Sequence, residues 1–523
     1  MTQKNTVPSA WVPVLAEVEE RRARAFAGGG EKRIAREHSI GRLGARERIA
    51  LLVDPGSFTE YGTFVTTPGE DGEDRPATFL CGTARIDGRT VAVGVEDFTI
   101  EGGGVGVHLS RNKGGWGGFI EELALAYRIP LVLLIQGVGA SIALQEMKGY
   151  PQLIAGMSAF PIVELLSKVP VVAAVLGPAA GGSAARAAIS HFSVMSREQG
   201  CLFAGGPSLV KQALGVDVNK MELGGADIHT KLSGVIDNVA EDESDAIDQI
   251  RLFLSYMPSN VWSLPPVEQV ADPAGRPIDE ILRVVSPDAR QPFDVEAVLD
   301  IIVDRDSFFE MTPDFGQSLR TGLARIDGHS VGILASDARH AGGALDVAAS
   351  EKQVRFVDMC NAFHIPLVYF VDVPGFMIGP AAEQAGILRK GARAVHAIQS
   401  ATVPVYTMQV RRSYGLAAQA TGSTNPLSLR IVWPSGVWGD MPVEGGIEAS
   451  HRAEIDKSDD PERTRAELLA RYQAQSSPWR SIERFNVEEL IDPRETRSRL
   501  AELLELARAA TVPEPKSGPA IRP

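Results

Sequence analysis

Two glycine corners carry the most specific chemistry in this chain. The apolar run Val169-Pro170-Val171-Val172-Ala173-Ala174-Val175-Leu176 meets Gly177-Pro178-Ala179-Ala180-Gly181-Gly182-Ser183, and an alanine-rich helical segment, Ser183–Ile189, comes after it. Where a strand turns into a helix, the first backbone N–H groups of the helix have no acceptor in the preceding turn, so they form a site for negative charge. Glycine lets a ligand come close to that backbone. At the same distance after Val403-Pro404-Val405, the segment Tyr414-Gly415-Leu416-Ala417-Ala418 offers a second such corner. Two sets of fixed donors suit a reaction that develops negative charge on two oxygens, and one lost donor typically costs about 3–4 kcal/mol there. A lone pair of glycines would more simply permit close packing of helix on strand; the recurrence of the device favours the oxyanion reading. Two further pairs of loops show the same pattern. Gly102-Gly103-Gly104 matches Gly342-Gly343, either as a flexible turn or as part of a site. Gly137-Val138-Gly139-Ala140 is paired by position with Asp372-Val373-Pro374-Gly375-Phe376, whose proline would stiffen a pocket wall.

The elements that must hold these corners recur as well. Asp54–Glu60 returns as Asp304–Glu310, Ala84-Arg85-Ile86-Asp87-Gly88 as Ala324-Arg325-Ile326-Asp327-Gly328, and Ile129-Pro130-Leu131-Val132 as Ile365-Pro366-Leu367-Val368, all in the same order. Each half therefore reads as one folding unit. Thr90–Val95 and Ser330–Ala335 read as strands after an Asp-Gly turn, and Lys113–Arg128 and Glu351–His364 as helices leading into the Ile-Pro-Leu-Val strands. Short apolar strands alternating with helices predict an α/β fold with a largely parallel sheet. The expected domains are 1–258 and 293–511, joined by a proline- and aspartate-rich linker over 259–292 and followed by a disordered tail over 512–523.

Bulk properties exclude several classes. The chain has 523 residues and a net charge of −14, so its surface as a whole repels nucleic acid and anionic lipid, and a phosphorylated ligand would need a local basic pocket. Cys81, Cys201 and Cys360 form no metal-type pair and no disulfide framework. The N-terminal segment carries no signal pattern, and the longest apolar run, Ile129–Ile135, is too short to span a bilayer, so a cytoplasmic protein is expected. No cluster of His, Asp and Glu has metal spacing, and no nucleophile–base pair stands out.

The motifs resemble the carboxyltransferase (β) subunits of biotin-dependent acyl-CoA carboxylases, the propionyl-CoA and methylcrotonyl-CoA type. Gly28–Arg33 through Gly41–Ile49, Asp54–Phe58, Leu223–His229, Ser233–Val235, Asp372–Phe376, Trp433-Pro434 and Ile491–Arg497 match in order, over roughly residues 11–509. The resemblance implies two crotonase-like ββα-spiral domains related by internal duplication. It implies transfer of CO2 from carboxybiotin to an acyl-CoA through an enolate, within a β6 ring whose active sites lie between the N-half of one subunit and the C-half of another. Gly181 and Gly182 match the family's amide pair for the acyl-CoA carbonyl, Leu416 and Ala417 its pair for biotin. Gly139, Ala140, Arg186 and Gln419 match substrate-facing positions, and Arg42 and Arg46 lie where the family contacts the CoA nucleotide. Any one of these arginines also reads as part of a solvated helical face.

Departures accompany the match. The family usually has Gly at position 416 and an aspartate at 419, a Gly-Gly-Ala-Arg loop at Val138–Ser141, and Tyr-Ser-Pro at Ala185-Arg186-Ala187. Small residues beside an arginine would suit a bulkier or acidic acyl group, unless Arg186 forms a structural ion pair. No ATP-grasp region and no biotinylation tetrapeptide is recognisable; Glu146-Met147-Lys148-Gly149 comes nearest, in the wrong setting. The resemblance therefore implies a separate biotin carboxylase and biotin carboxyl carrier partner, with no metal in this chain. The departures also admit a biotin-dependent decarboxylase subunit, a biotin-independent hydrolase or lyase, or a non-catalytic member of a mixed ring.

Overall fold

The computed structural model describes residues 8–68, 73–104, 113–114, 118–139, 149–150, 164–475 and 477–516. The chain divides into two compact units, Met1–Leu252 and Phe253–Pro523.

In the first unit, β1 (Thr59–Tyr61), β2 (Phe79–Ile86) and β3 (Arg89–Glu96) are antiparallel neighbours. Then β4 (Leu131–Ile135), β5 (Val171–Val175), β6 (Phe192–Ser196) and β7 (Asn238–Ala240) add in parallel, in chain order. Every residue of β4 and β5 is buried, as continuous apolar runs in a sheet covered on both faces should be. The helix α1 (Phe119–Tyr127) leads into β4, and α2 (Gly182–Ile189) comes directly after the first glycine corner.

The second unit repeats this plan. β8 (Phe309–Met311), β9 (Leu319–Ile326) and β10 (His329–Ser336) are antiparallel; β11 (Leu367–Val373), β12 (Val405–Tyr414), β13 (Leu429–Val432) and β14 (Glu489–Leu490) continue in parallel. Its helices include α3 (Val347–Ala362), α4 (Gly415–Gln419) after the second corner, and α5 (Thr496–Ala510). The duplication seen in the sequence is thus a duplication of topology.

The repeated motifs interlock. Asp87 and Gly88 take φ of +50° and +78°, Asp327 and Gly328 +52° and +76°, the paired left-handed residues of a tight hairpin turn. The Asp54 carboxylate accepts from both turn amides at 3.0 and 2.8 Å, and Asp304 does the same at 2.9 and 2.8 Å. Ser57 Oγ accepts from Arg85 N and Ser307 Oγ from Arg325 N, each at 3.1 Å. The aspartate–serine motif is therefore a clamp on the hairpin downstream of it in each half.

Two boundaries differ from the sequence reading. The compact units part at 252/253, and the stretch read as a linker packs Ile278, Ile281 and Val285 into the second core. Its apolar residues recur at helical spacing, which the prolines around them mask. The helix expected over Lys113–Arg128 is described only from Phe119. The expected tail over 512–523 lies partly outside the described residues, which end at 516. All three cysteines are buried and unpaired. Among the described residues no helix is long and apolar enough to cross a membrane, and no group of His, Cys, Asp and Glu could hold a metal ion.

Candidate active site

Gly181 forms the first corner with φ of +61° and ψ of −124°, a backbone that a side chain would strain. Among the described residues a Cβ there would meet no atom within 4 Å. The first α2 hydrogen bond runs from Ala185 N to Gly181 O at 3.0 Å. Gly182 is the first residue of α2, so its amide has no acceptor in a preceding helical turn.

Two loops back onto this corner. Ala180 N donates to Gly137 O at 2.9 Å. Gly139 has φ of +81°, and a Cβ on it would sit 2.9 Å from Ala180 O. Val138 N in turn donates to Gly102 O at 3.0 Å, and a side chain on Gly103 would collide with Gln136 O. Three of the glycine clusters singled out in the sequence therefore meet at one place. Ala140 lies outside the described residues.

Arg186 is not offered to a substrate. It is buried on α2, where its guanidinium pairs with Glu96 and lies 4.0 Å from Glu121. Ser183 Oγ donates to the same Glu96 oxygen at 2.5 Å. Of the two roles weighed for Arg186, the structure contains the ion pair; a buried guanidinium between two carboxylates is held far more strongly than one pointing to solvent.

Beside this corner region a cleft of about 520 Å³ is lined by Arg33, Arg36, Arg42 and Arg75, with Phe98 among its walls. Arg42 pairs with Glu37, which is also buried, and Arg75 pairs with Glu101. Arg36 is exposed and has no acidic partner among the described residues. The cleft is the local basic pocket that an otherwise acidic surface requires. Arg46 does not line it; its guanidinium pairs with Glu60 at 2.9 Å and stacks 4.0 Å from the Phe26 ring centre.

In the second unit the corner glycine is Gly415, whose φ of +61° equals that of Gly181, so Leu416 is the counterpart of Gly182. Leu416 is 51% exposed and Ala417 is buried. Gln419 has its side chain at the surface, and its carbonyl accepts from Gln399 Nε2 at 2.9 Å. Where the first unit has Gln136 against Gly103, the second has Asp372 against Gly343. Asp372 is buried and clamped by Arg411 Nη2 at 2.5 Å and Arg412 Nε at 2.7 Å.

The profile of the carboxyl transferase domain family matches residues 36–518. The chain belongs to the carboxyl transferase family. The propionyl-CoA carboxylase carboxyltransferase subunit of Haloferax mediterranei is 35% identical over 510 residues, covering 96% of this chain and 97% of that one. The methylmalonyl-CoA decarboxylase subunit alpha of Veillonella parvula is 34% identical over 490 residues, covering 92% and 93%. Among solved structures, the transcarboxylase 12S hexamer with methylmalonyl-coenzyme A and methylmalonic acid bound superposes with a TM-score of 0.86 at 32% identity, covering 99% of this chain and 100% of that one. The protein is an enzyme, a carboxyltransferase acting between biotin and an acyl-CoA, with duplicated crotonase-like domains.

Sequence reasoning misses several residues of this carboxyltransferase. It points to the second corner at Gly415-Leu416, and the positive φ of Gly415 agrees with that placing. Glu37, Glu96 and Gln136 give no local signal, because their partners lie 99 and 90 residues away in the chain.

Proposed function

We propose that the first unit binds the acyl-CoA and the second receives biotin. The Gly181 and Gly182 amides stabilise the thioester oxygen as it becomes an enolate; the Leu416 and Ala417 amides stabilise the ureido oxygen of biotin as CO2 leaves. Biotin's ureido nitrogen, freed of CO2, takes the α-proton, and the enolate carbon attacks the CO2, so no protein base is needed. The cleft arginines meet the phosphates of CoA. The observation that carries this reading is the positive-φ corner at Gly181 that starts α2, with no described atom within 4 Å of a Cβ placed on it.

Because Glu96 holds Arg186, the acceptor acyl group is neutral, as in the propionyl-CoA relative. Arg186→Met is expected to leave the ratio of KM values for acidic and neutral acyl-CoA at the wild-type level; a selective rise for the acidic one would return Arg186 to the pocket. Biotin arrives on a separate carboxylase or carrier subunit, and the chain assembles as a hexamer, as the 12S relative does. Three buried free thiols suit the reducing cytoplasm, where we place it.

The test is transfer from methylmalonyl-CoA to free biotin by the full chain, read as propionyl-CoA formed. Biotin-dependent product is expected. Product formed equally without biotin would identify a hydrolase or lyase, and no product would point to a non-catalytic ring member. The Veillonella relative favours a second reading, net decarboxylation; the same corners serve either direction, and the partner sets it.

A further inference from the structure

The basic cleft and the first glycine corner are joined by a run of buried hydrogen bonds, in which the Gln136 backbone N–H forms one link and side chains form the rest. Arg42 lines the cleft and donates from Nη2 to Glu37 Oε1 at 3.1 Å. Glu37 Oε2 accepts from Gln136 Nε2 at 3.0 Å. The Gln136 backbone N–H donates to Glu96 Oε2 at 2.8 Å. Glu96 Oε1 accepts from Ser183 Oγ at 2.5 Å and from Arg186. Ser183 and Arg186 both sit on α2, the helix that Gly181 starts. All six side chains are buried. Gln136 is further hemmed in by the chain at Gly177, where a Cβ would lie 2.6 Å from its Cγ. A displacement at one end cannot be absorbed by a change of rotamer without leaving a buried polar group unpaired, at about 1–3 kcal/mol.

We propose that this network couples the nucleotide end of CoA to the alignment of the oxyanion amides, a proposal that rests on the first unit binding the acyl-CoA. An anion docked on the cleft arginines fixes Arg42 and Glu37. Gln136 and Glu96 pass that constraint to α2 and so set the Gly181 and Gly182 N–H groups against the thioester oxygen. Binding energy from a part of the substrate remote from the chemistry is thereby expressed in kcat. Gln136 and Glu96 are positioning residues in this scheme, since both act through α2.

The experiment compares two donors to free biotin in the full chain: methylmalonyl-CoA, and methylmalonyl-pantetheine, which has the same thioester without the nucleotide. Wild-type kcat is expected to be higher with the CoA thioester by about 5- to 150-fold, the range of ordinary coupling between sites. Gln136→Met keeps the volume and cuts the link to Glu37, so this kcat ratio falls toward one. Glu37→Gln, which removes the charge facing Arg42, lowers the ratio too and serves if the first variant does not fold. Equal losses on both donors, leaving the ratio unchanged, would reduce the network to a structural role and overturn the proposal, as would a wild-type ratio of one. Absence of transfer by the wild type with either donor would instead refute the functional assignment beneath it.

Discussion

The two halves share a scaffold down to single hydrogen bonds, yet the ground behind their glycine corners differs. In the first, Glu96 gathers Ser183, Arg186 and the Gln136 backbone into one buried knot beneath an eight-residue helix. In the second, a five-residue helix follows β12, whose successive Arg411 and Arg412 grip Asp372 on the neighbouring β11. The hairpin clamps diverge as well. Asp54 holds its turn and its strand, whereas Asp304 also accepts from the buried Arg497 of α5 at 2.7 Å. Duplication has preserved what forms the sheet and released what supports the chemistry.

The largest effect should come at the corner itself. Gly181→Val keeps its N–H but strains the positive-φ corner and adds a side chain in front of it, and is expected to cut kcat by about 10²- to 10³-fold, the scale of a lost oxyanion donor, with circular dichroism unchanged. A near-normal rate would detach this corner from the reaction. Next come the clamps. Asp304→Ala loses the turn hydrogen bonds and also the 2.7 Å pair to buried Arg497, which keeps Asp272 at 3.4 Å, and should cost about 3–5 kcal/mol in urea denaturation; Asp54→Ala loses charged hydrogen bonds alone, about 1.5–3 kcal/mol. Equal costs would mean that Asp272 alone suffices to hold Arg497.

A last comparison is read by pH, since burial lowers the lysine in both halves. Each buries a lysine near its repeated glutamate. Lys113 donates to Gly62 O at 3.1 Å and Lys352 to Phe315 O at 3.0 Å. Burial pushes Lys352 down from 10.5 to about 7. Between those values the folded state binds fewer protons than the unfolded one, so stability rises with pH across that window, and the burden of the buried charge is full below it. Lys352→Met should therefore be more stable than wild type near pH 7 and lose that advantage towards pH 10, as thermal melts across the range would show. A constant difference would place the lysine's contribution in packing alone.

The scaffold is readable in the sequence because its signals are local. Asp-Gly turns, the aspartate–serine motif and the Ile-Pro-Leu-Val strands each encode a short-range geometry, and their recurrence marks the duplication. The glycine corners are readable for the same reason: a positive φ leaves a residue type behind. The supporting network is not, because hydrogen bonds between residues 90 or 99 positions apart depend on which strands become neighbours. Arg186 by itself looks like a free cation; only the sheet order brings Glu96 to it. The stretch 259–292 shows the converse, where composition suggests a spacer while Ile278 and Ile281 belong to the core.

The buried thiols give each half a private reporter. Burial raises the Cys81 and Cys201 thiols to about 11 and lifts Cys360 well above its ordinary value. Alkylating reagents attack thiolates, so the native chain is nearly inert to them at neutral pH. Labelling at Cys81 and Cys201 then times the opening of the first unit, and labelling at Cys360 that of the second, which lets mass spectrometry track the two breathing motions separately in a single unmodified molecule.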